Sequence, residues 1–139
     1  QAYCQWLNSK NLFSGMKVAL PTEAQWEKAT RWGSATLFPW GDEIDSEQAN
    51  YDDSSIHETC CSGCFQRGGN DDRPLDMIGN VWEWTETPYA RGQHTIKGGS
   101  YLCAENFCKR YRSAARQGQD IDFSSNHIGF RIVKDVAPN

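Results

Sequence analysis

The sequence predicts one irregular, loop-rich domain that mixes helix with strand, and three observations carry that expectation. Six tryptophans and twelve glycines in 139 residues describe a chain packed by large aromatics and turned often by its backbone. Two short segments, at 1–10 and 22–29, carry helical spacing, while 110–113 alternates as a half-buried strand does. Between them, residues 42–72 are polar and without period, which predicts a long loop that needs a metal, a disulfide or a function to hold it. The length suits a single domain, residues 1–139, able to bury a core without disulfide support. A net charge of −4 is not the basic footprint of a nucleic-acid binder. No apolar run approaches the roughly 18 residues that a membrane-spanning helix needs.

In chain order, Tyr3, Trp6 and Leu7 share one face of a helix that opens the sequence and ends by Lys10. A chain starting inside a helix is expected to be a fragment, a processed product or half of a split protein. Its apolar face is expected to need a partner: a second polypeptide, a missing N-terminal half or a copy of itself. Residues 11–18 are expected to form a loop. Thr22 then caps a second helix, with Gln25 completing a capping box and Glu23 in the favoured first turn. Gly33 is a suitable stop. Phe38, Pro39, Trp40, Gly41 and Asp42 are turn chemistry around an aromatic pair.

The long loop holds His57, Cys60, Cys61 and Cys64. Cys61 and Cys64 make a C-x-x-C, and with Cys60 and His57 they supply four candidate ligands for a tetrahedral metal. All four lie in one short stretch, whereas zinc sites draw on two separated pairs, so a disulfide between two of the cysteines and unpaired thiols stand as equal alternatives. Next, Asp76 and Glu83 bracket a Gly79-Asn80 turn. Carboxylates with backbone carbonyls between them are what Ca²⁺ takes. The competing reading is two solvated carboxylates beside a core filled by Trp82 and Trp84.

Cys103 and Cys108, with four residues between them, follow the paired glycines Gly98 and Gly99 and precede the alternating run Arg110, Tyr111, Arg112, Ser113. This predicts two cysteines on a loop between strands. Two such thiolates suit a soft ion such as Cu(I), or a reversible disulfide. The alternative is a pair of buried, unreactive cysteines or a structural disulfide.

Five ordered segments then resemble one family. Residues 20–27 resemble its "LPTEAEWE" signature, 38–42 its "(Y/F)PWG(D/N)", 78–84 its "SGNVWEW", 97–116 its "GGSY-x-C-x4-C-x-RYR-x-AAR" core and 128–131 its closing "GFR". By these motifs the sequence is identified as a member of the formylglycine-generating enzyme, or sulfatase-modifying factor, family. The resemblance implies an α+β, C-type-lectin-like fold with little regular secondary structure. It covers the family's C-terminal half. It implies a copper-dependent, O₂-using oxidase acting on a protein or small-molecule thiol, since the family's generators convert a sulfatase cysteine to an aldehyde. Cys103 and Cys108 would hold Cu(I), with Ser100 and Trp82 at the active site. Arg110, Arg112 and His127 would bind or shape the cysteine-containing peptide. Structural Ca²⁺ would be held by the side chains of Asp76 and Glu83 and the carbonyls of Gly79 and Val81, with Asn50 at a second site.

Departures bear on the substrate. Phe107 stands where the family usually has tyrosine, Ala104 where histidine is frequent, and His127 where the generators often carry asparagine. The disulfides of secreted members are also absent: Cys4 faces Ile132 in that alignment, and Thr30 and Ser113 occupy the second pair. That pattern points to a reducing, cytoplasmic compartment, with a periplasmic or secreted location as the alternative. Two other functions stay open: a non-catalytic binding or assembly module on the same scaffold, and a non-haem-iron oxygenase of the sulfoxide-synthase type. The last is disfavoured because its iron histidines come from an extra helical domain.

Overall fold

The computed structural model describes residues 1–65, 72–104 and 111–135. Helix α1 (Ala2–Ser9) leads through a loop to β1 (Lys17–Ala19) and then α2 (Glu23–Arg31). After a long stretch whose described residues include a 3-10 turn at Asp52–Ser54 come β2 (Trp82–Ala90), β3 (Gln93–Lys97), β4 (Gln117–Asp120), β5 (Ile128–Gly129) and β6 (Val133–Asp135). Strands β4-β3-β2-β5 form one sheet, antiparallel except where β5 runs parallel to β2, and β1 pairs with β6 in a separate antiparallel ribbon. Among the described residues, no helix is long and apolar enough to cross a membrane.

Helix α2 begins as its local chemistry dictates. The Thr22 hydroxyl accepts the Gln25 N–H, and the Gln25 side chain accepts the Thr22 N–H, closing the capping box. The helix stops on Trp32, which adopts a left-handed conformation at φ 46° before Gly33 at φ 86°. Its inward face carries Trp26, 1% exposed, a burial that contributes on the order of 2–3 kcal/mol.

Three sequence expectations are corrected. In α1 the buried residues are Cys4 and Leu7, packed with Val18, whereas Tyr3 and Trp6 are exposed. The helix turns its smaller residues inward because the β1–β6 ribbon lies close against it, with Asn8 bonded to both polar groups of Val18. Strand β1 itself falls in a stretch expected to be loop, since its partner β6 lies more than a hundred residues on. The alternating run does not pair as a strand over 111–114. Tyr111 and Ser113 are buried and Arg112 and Ala114 exposed, but the segment turns, with the Ser113 N–H and hydroxyl both given to the Leu37 carbonyl. The burial period was legible, and the ladder did not form.

The main core gathers Phe38, Ala49, Tyr51, Ile78, Trp82, Ile96, Cys103 and Tyr111. Phe38 stacks on Trp40 at 5.4 Å and on Tyr111 at 6.1 Å. Aromatics from four separate segments thus do the packing that regular elements do elsewhere. Glycine is required where the chain crosses itself. Gly79 has φ +75°, and a Cβ there would lie 2.1 Å from the Asn50 carbonyl oxygen.

Candidate functional site

Beyond β3 the chain reverses through Gly98 and Gly99, both at positive φ, and a Cβ on Gly99 would press on Tyr111 at 3.0 Å. This close approach sets the turn that carries Ser100 and Cys103. The Cys103 N–H donates to the Ser100 carbonyl at 2.9 Å, and the Ser100 N–H points at the Cys103 sulfur at 3.4 Å. The Ser100 hydroxyl accepts the Leu102 N–H, and the Cys103 carbonyl accepts the Asp52 N–H. Cys103 is thereby held at both ends of its peptide and buried in the same cluster as Trp82, on the connection between β3 and β4. Cys108 and Arg110 lie outside the described residues.

Trp82 opens β2 and donates its N–H to the carbonyl of His127, while the His127 ring meets the Ser125 hydroxyl at 2.7 Å. A cleft of about 440 Å³ lies beside the aromatic cluster, lined by Phe38, Tyr111 and Arg112 together with Leu37, Ile44, Asp42 and Glu43. Two of its walls, Phe38 and Tyr111, also pack in the Cys103 core. The structure therefore brings Ser100, Cys103 and Trp82 together, sets Arg112 on an adjoining cleft, and ties His127 to Trp82 through backbone. A second cavity, about 390 Å³, shares none of these residues and includes Trp84 and His94.

The oxygen ligands expected for calcium are divided between two networks. Both oxygens of Glu83 are taken at 2.6 Å by Arg131, and one also accepts the Trp26 indole N–H. Arg131 reaches on to the Leu75 carbonyl. A guanidinium thus neutralises Glu83, and the described contacts place it in a different network from Asp76. Asp76 instead accepts the Ser62 hydroxyl and the Gly63 N–H, each at 2.7 Å. Asn50 bridges Gly79 and Asn80 through its backbone, and its side chain joins Ser54, Glu58 and Asn80. Val81 packs against Gly129.

Of the four soft ligands in the long loop, His57 is exposed and faces Asp52 at 4.0 Å, whereas Cys60 is half-buried. Among the described residues, no three His, Cys, Asp or Glu side chains converge as a metal site requires.

Sequence reasoning missed two charged groupings. Arg131 against Glu83 is one. The other is Lys97, fully buried beside Glu27 at 3.3 Å and Glu23 at 3.5 Å, with its ammonium over the Trp26 ring. Arg116 meets Glu23 at 3.0 Å. Burial alone would raise the Glu27 carboxyl, but Arg31 and Lys97 outweigh it and hold it below its ordinary range. The only available signal was a lysine and an arginine inside otherwise apolar motifs.

The comparisons with known proteins accord with this architecture. The family described as sulfatase-modifying factor enzyme 1-like domain matches residues 1–136. The formylglycine-generating enzyme of Mycobacterium tuberculosis is 34% identical over 169 residues, covering 96% of this chain and 54% of that protein. A Bos taurus protein named inactive C-alpha-formylglycine-generating enzyme 2 is 27% identical over 149 residues, covering 96% of this chain and 46% of its own. Among solved structures, PvdO of Pseudomonas aeruginosa has the same fold, with TM-score 0.79 at 24% identity over 97% of this chain and 58% of PvdO. The chain spans about half the length of the curated relatives it matches. With the motif order, the α+β architecture of little regular structure and this family match in agreement, the chain belongs to the sulfatase-modifying factor, or formylglycine-generating enzyme, family.

Proposed function

We propose that this chain carries the thiol site of a copper-dependent oxidase of the formylglycine-generating type, acting on a cysteine-containing peptide or a small thiol. The observation that supports it is Cys103, buried and aimed by the Ser100 turn in a cluster with Trp82, with a cleft alongside. Its donor chemistry fits a soft monovalent metal: a cysteine sulfur in an aromatic setting, with Cys108, outside the described residues, proposed as the second sulfur ligand. Copper(I) bound there would supply the activation of O₂ for oxidation of a substrate thiol. The chain's own residues have separate tasks. The Ser100–Cys103 turn fixes the sulfur, Trp82 and Tyr111 keep water from it, and Arg112 offers positive charge to a peptide in the cleft.

The test is Cu(I) titration of the reduced chain against a chromogenic chelator. One equivalent should bind tightly, and Cys103→Ser or Cys108→Ser should abolish it while circular dichroism stays unchanged. Arg112→Ala should keep the metal and weaken peptide binding. Unchanged Cu(I) affinity in either cysteine variant would overturn the proposal. The reading then favoured is a non-catalytic binding module, for which the match to a relative named inactive is the supporting observation.

A further inference from the structure

The charged cluster at the end of β3 takes no part in the thiol chemistry above, and it is built around one lysine. Lys97 closes β3, and its side chain is 0% exposed. Its ammonium lies 3.3 Å from Glu27 Oε2 and 3.5 Å from Glu23 Oε1, carboxylates on successive turns of α2, and 5.5 Å from the centre of the Trp26 ring. On β2 its register partner is Glu83, which accepts the Trp26 indole N–H. A lysine drawn fully out of water persists only with such partners, so α2 fixes where β3 ends. The next residue continues the constraint. A Cβ on Gly98 would lie 3.0 Å from the Met77 carbonyl oxygen and 3.1 Å from Trp26 Cζ2, and the Gly98 carbonyl accepts the Gly79 N–H at 2.8 Å. The backbone thus leaves Lys97 pressed against the same Trp26 ring that faces the ammonium. Three residues after Lys97, Ser100 offers its carbonyl to the Cys103 N–H.

We propose that Lys97 is a positioning residue for the Cys103 sulfur, holding the entry to the Ser100–Cys103 turn against α2; the sulfur's use in thiol oxidation rests on the copper reading of that site. The turn has two anchors. At its far end the Cys103 carbonyl accepts the Asp52 N–H, and at its near end stand Lys97 and Gly98. The carboxylates do not depend on Lys97 for a partner, because Glu23 also meets Arg116 at 3.0 Å and Glu27 meets Arg31 at 2.9 Å. What Lys97 adds is the link from helix α2 to the end of β3. Lys97→Met removes that link, keeps an unbranched side chain in the buried space and leaves each carboxylate with an arginine. Loosening at the near end then frees Cys103 to leave the aromatic cluster and meet solvent.

The experiment alkylates the reduced, metal-free full chain with iodoacetamide under native conditions and reads each cysteine by peptide mass spectrometry. Lys97→Met is compared with the parent in the urea concentration that gives the parent the same unfolding free energy. Cys103 should react about tenfold faster in the variant than in this matched parent, as a local opening requires. Cys4, buried in the separate cluster with Leu7 and Val18, should react at the same rate in both. Glu27→Gln removes one of the two carboxylates at a side chain already 30% exposed, so it tests the same link if the lysine variant fails to fold. It should speed Cys103 by about two- to threefold over its own matched parent. Equal Cys103 rates in variant and matched parent would leave Lys97 a role in stability alone and overturn the proposal, as would an equal rise at Cys4 and Cys103. No metal enters this measurement, so a parent chain that takes up no Cu(I) overturns the copper reading alone.

Discussion

Glu83, expected from the family resemblance to bind calcium, is paired with a guanidinium in the folded chain, and Glu83→Gln separates the two roles. The side chain is 9% exposed and that of Arg131 25%, with the pair joined by two contacts of 2.6 Å. Removing one partner of a fully buried ion pair costs about 3–5 kcal/mol, whereas exposed pairs contribute about 0–1 kcal/mol. With Arg131 a quarter exposed, and one amide oxygen left to accept from Trp26, the loss falls between these limits, about 2–4 kcal/mol. In urea at neutral pH, an m-value of about 2 kcal/mol/M turns this into a midpoint lowered by about 1–2 M. A double-mutant cycle with Arg131→Met should return a coupling of about 1–3 kcal/mol. Both effects should be the same with and without chelator. A loss under about 0.5 kcal/mol, or a coupling near zero, would refute the pairing argument. Destabilisation that appears only when calcium is present would return Glu83 to the ligand set.

The other predictions use the same unfolding assay. Asp76→Asn weakens two charge-assisted bonds to the 62–63 turn and should cost about 1–3 kcal/mol whether or not chelator is present. A chelator-dependent midpoint that this variant abolishes would establish calcium at Asp76. Gly79→Ala forces a Cβ to 2.1 Å from the Asn50 carbonyl at a positive φ. Its cost should exceed the roughly 1–3 kcal/mol of ordinary backbone strain, seen as failure to fold or a strongly lowered midpoint. For Glu27, the folded-state carboxyl is held below its ordinary value of 4.5 by Arg31 and Lys97, which outweigh its burial. Its contribution is therefore present above that pH and lost as pH falls through the depressed folded value. Glu27→Gln should be less stable than the parent at neutral pH and converge with it in acid, and a constant difference across that window would contradict the sign.

What the sequence determined by itself is what can be settled within a few residues. The capping box of Thr22 and Gln25 closes over one helical turn. The reversal at Gly98 and Gly99 needs no distant partner to be anticipated, and it placed Cys103 on a loop between strands. Motif order then identified the family and with it the kind of fold. Even the burial of Tyr111 and Ser113 followed from alternation. Tertiary structure decided which groups meet. Arg131 is 48 residues from Glu83, and Lys97 is 70 from Glu27, so chain crossing alone sets those pairs. The same crossing turned Leu7 and Cys4 inward instead of Tyr3 and Trp6, and tied Ser113 to Leu37 in place of a ladder. Local chemistry restricts the conformation of a turn. The partner of a charge or a strand edge depends on which distant segment is brought to it, because each such group is satisfied only where the packed aromatic core lets the chains approach.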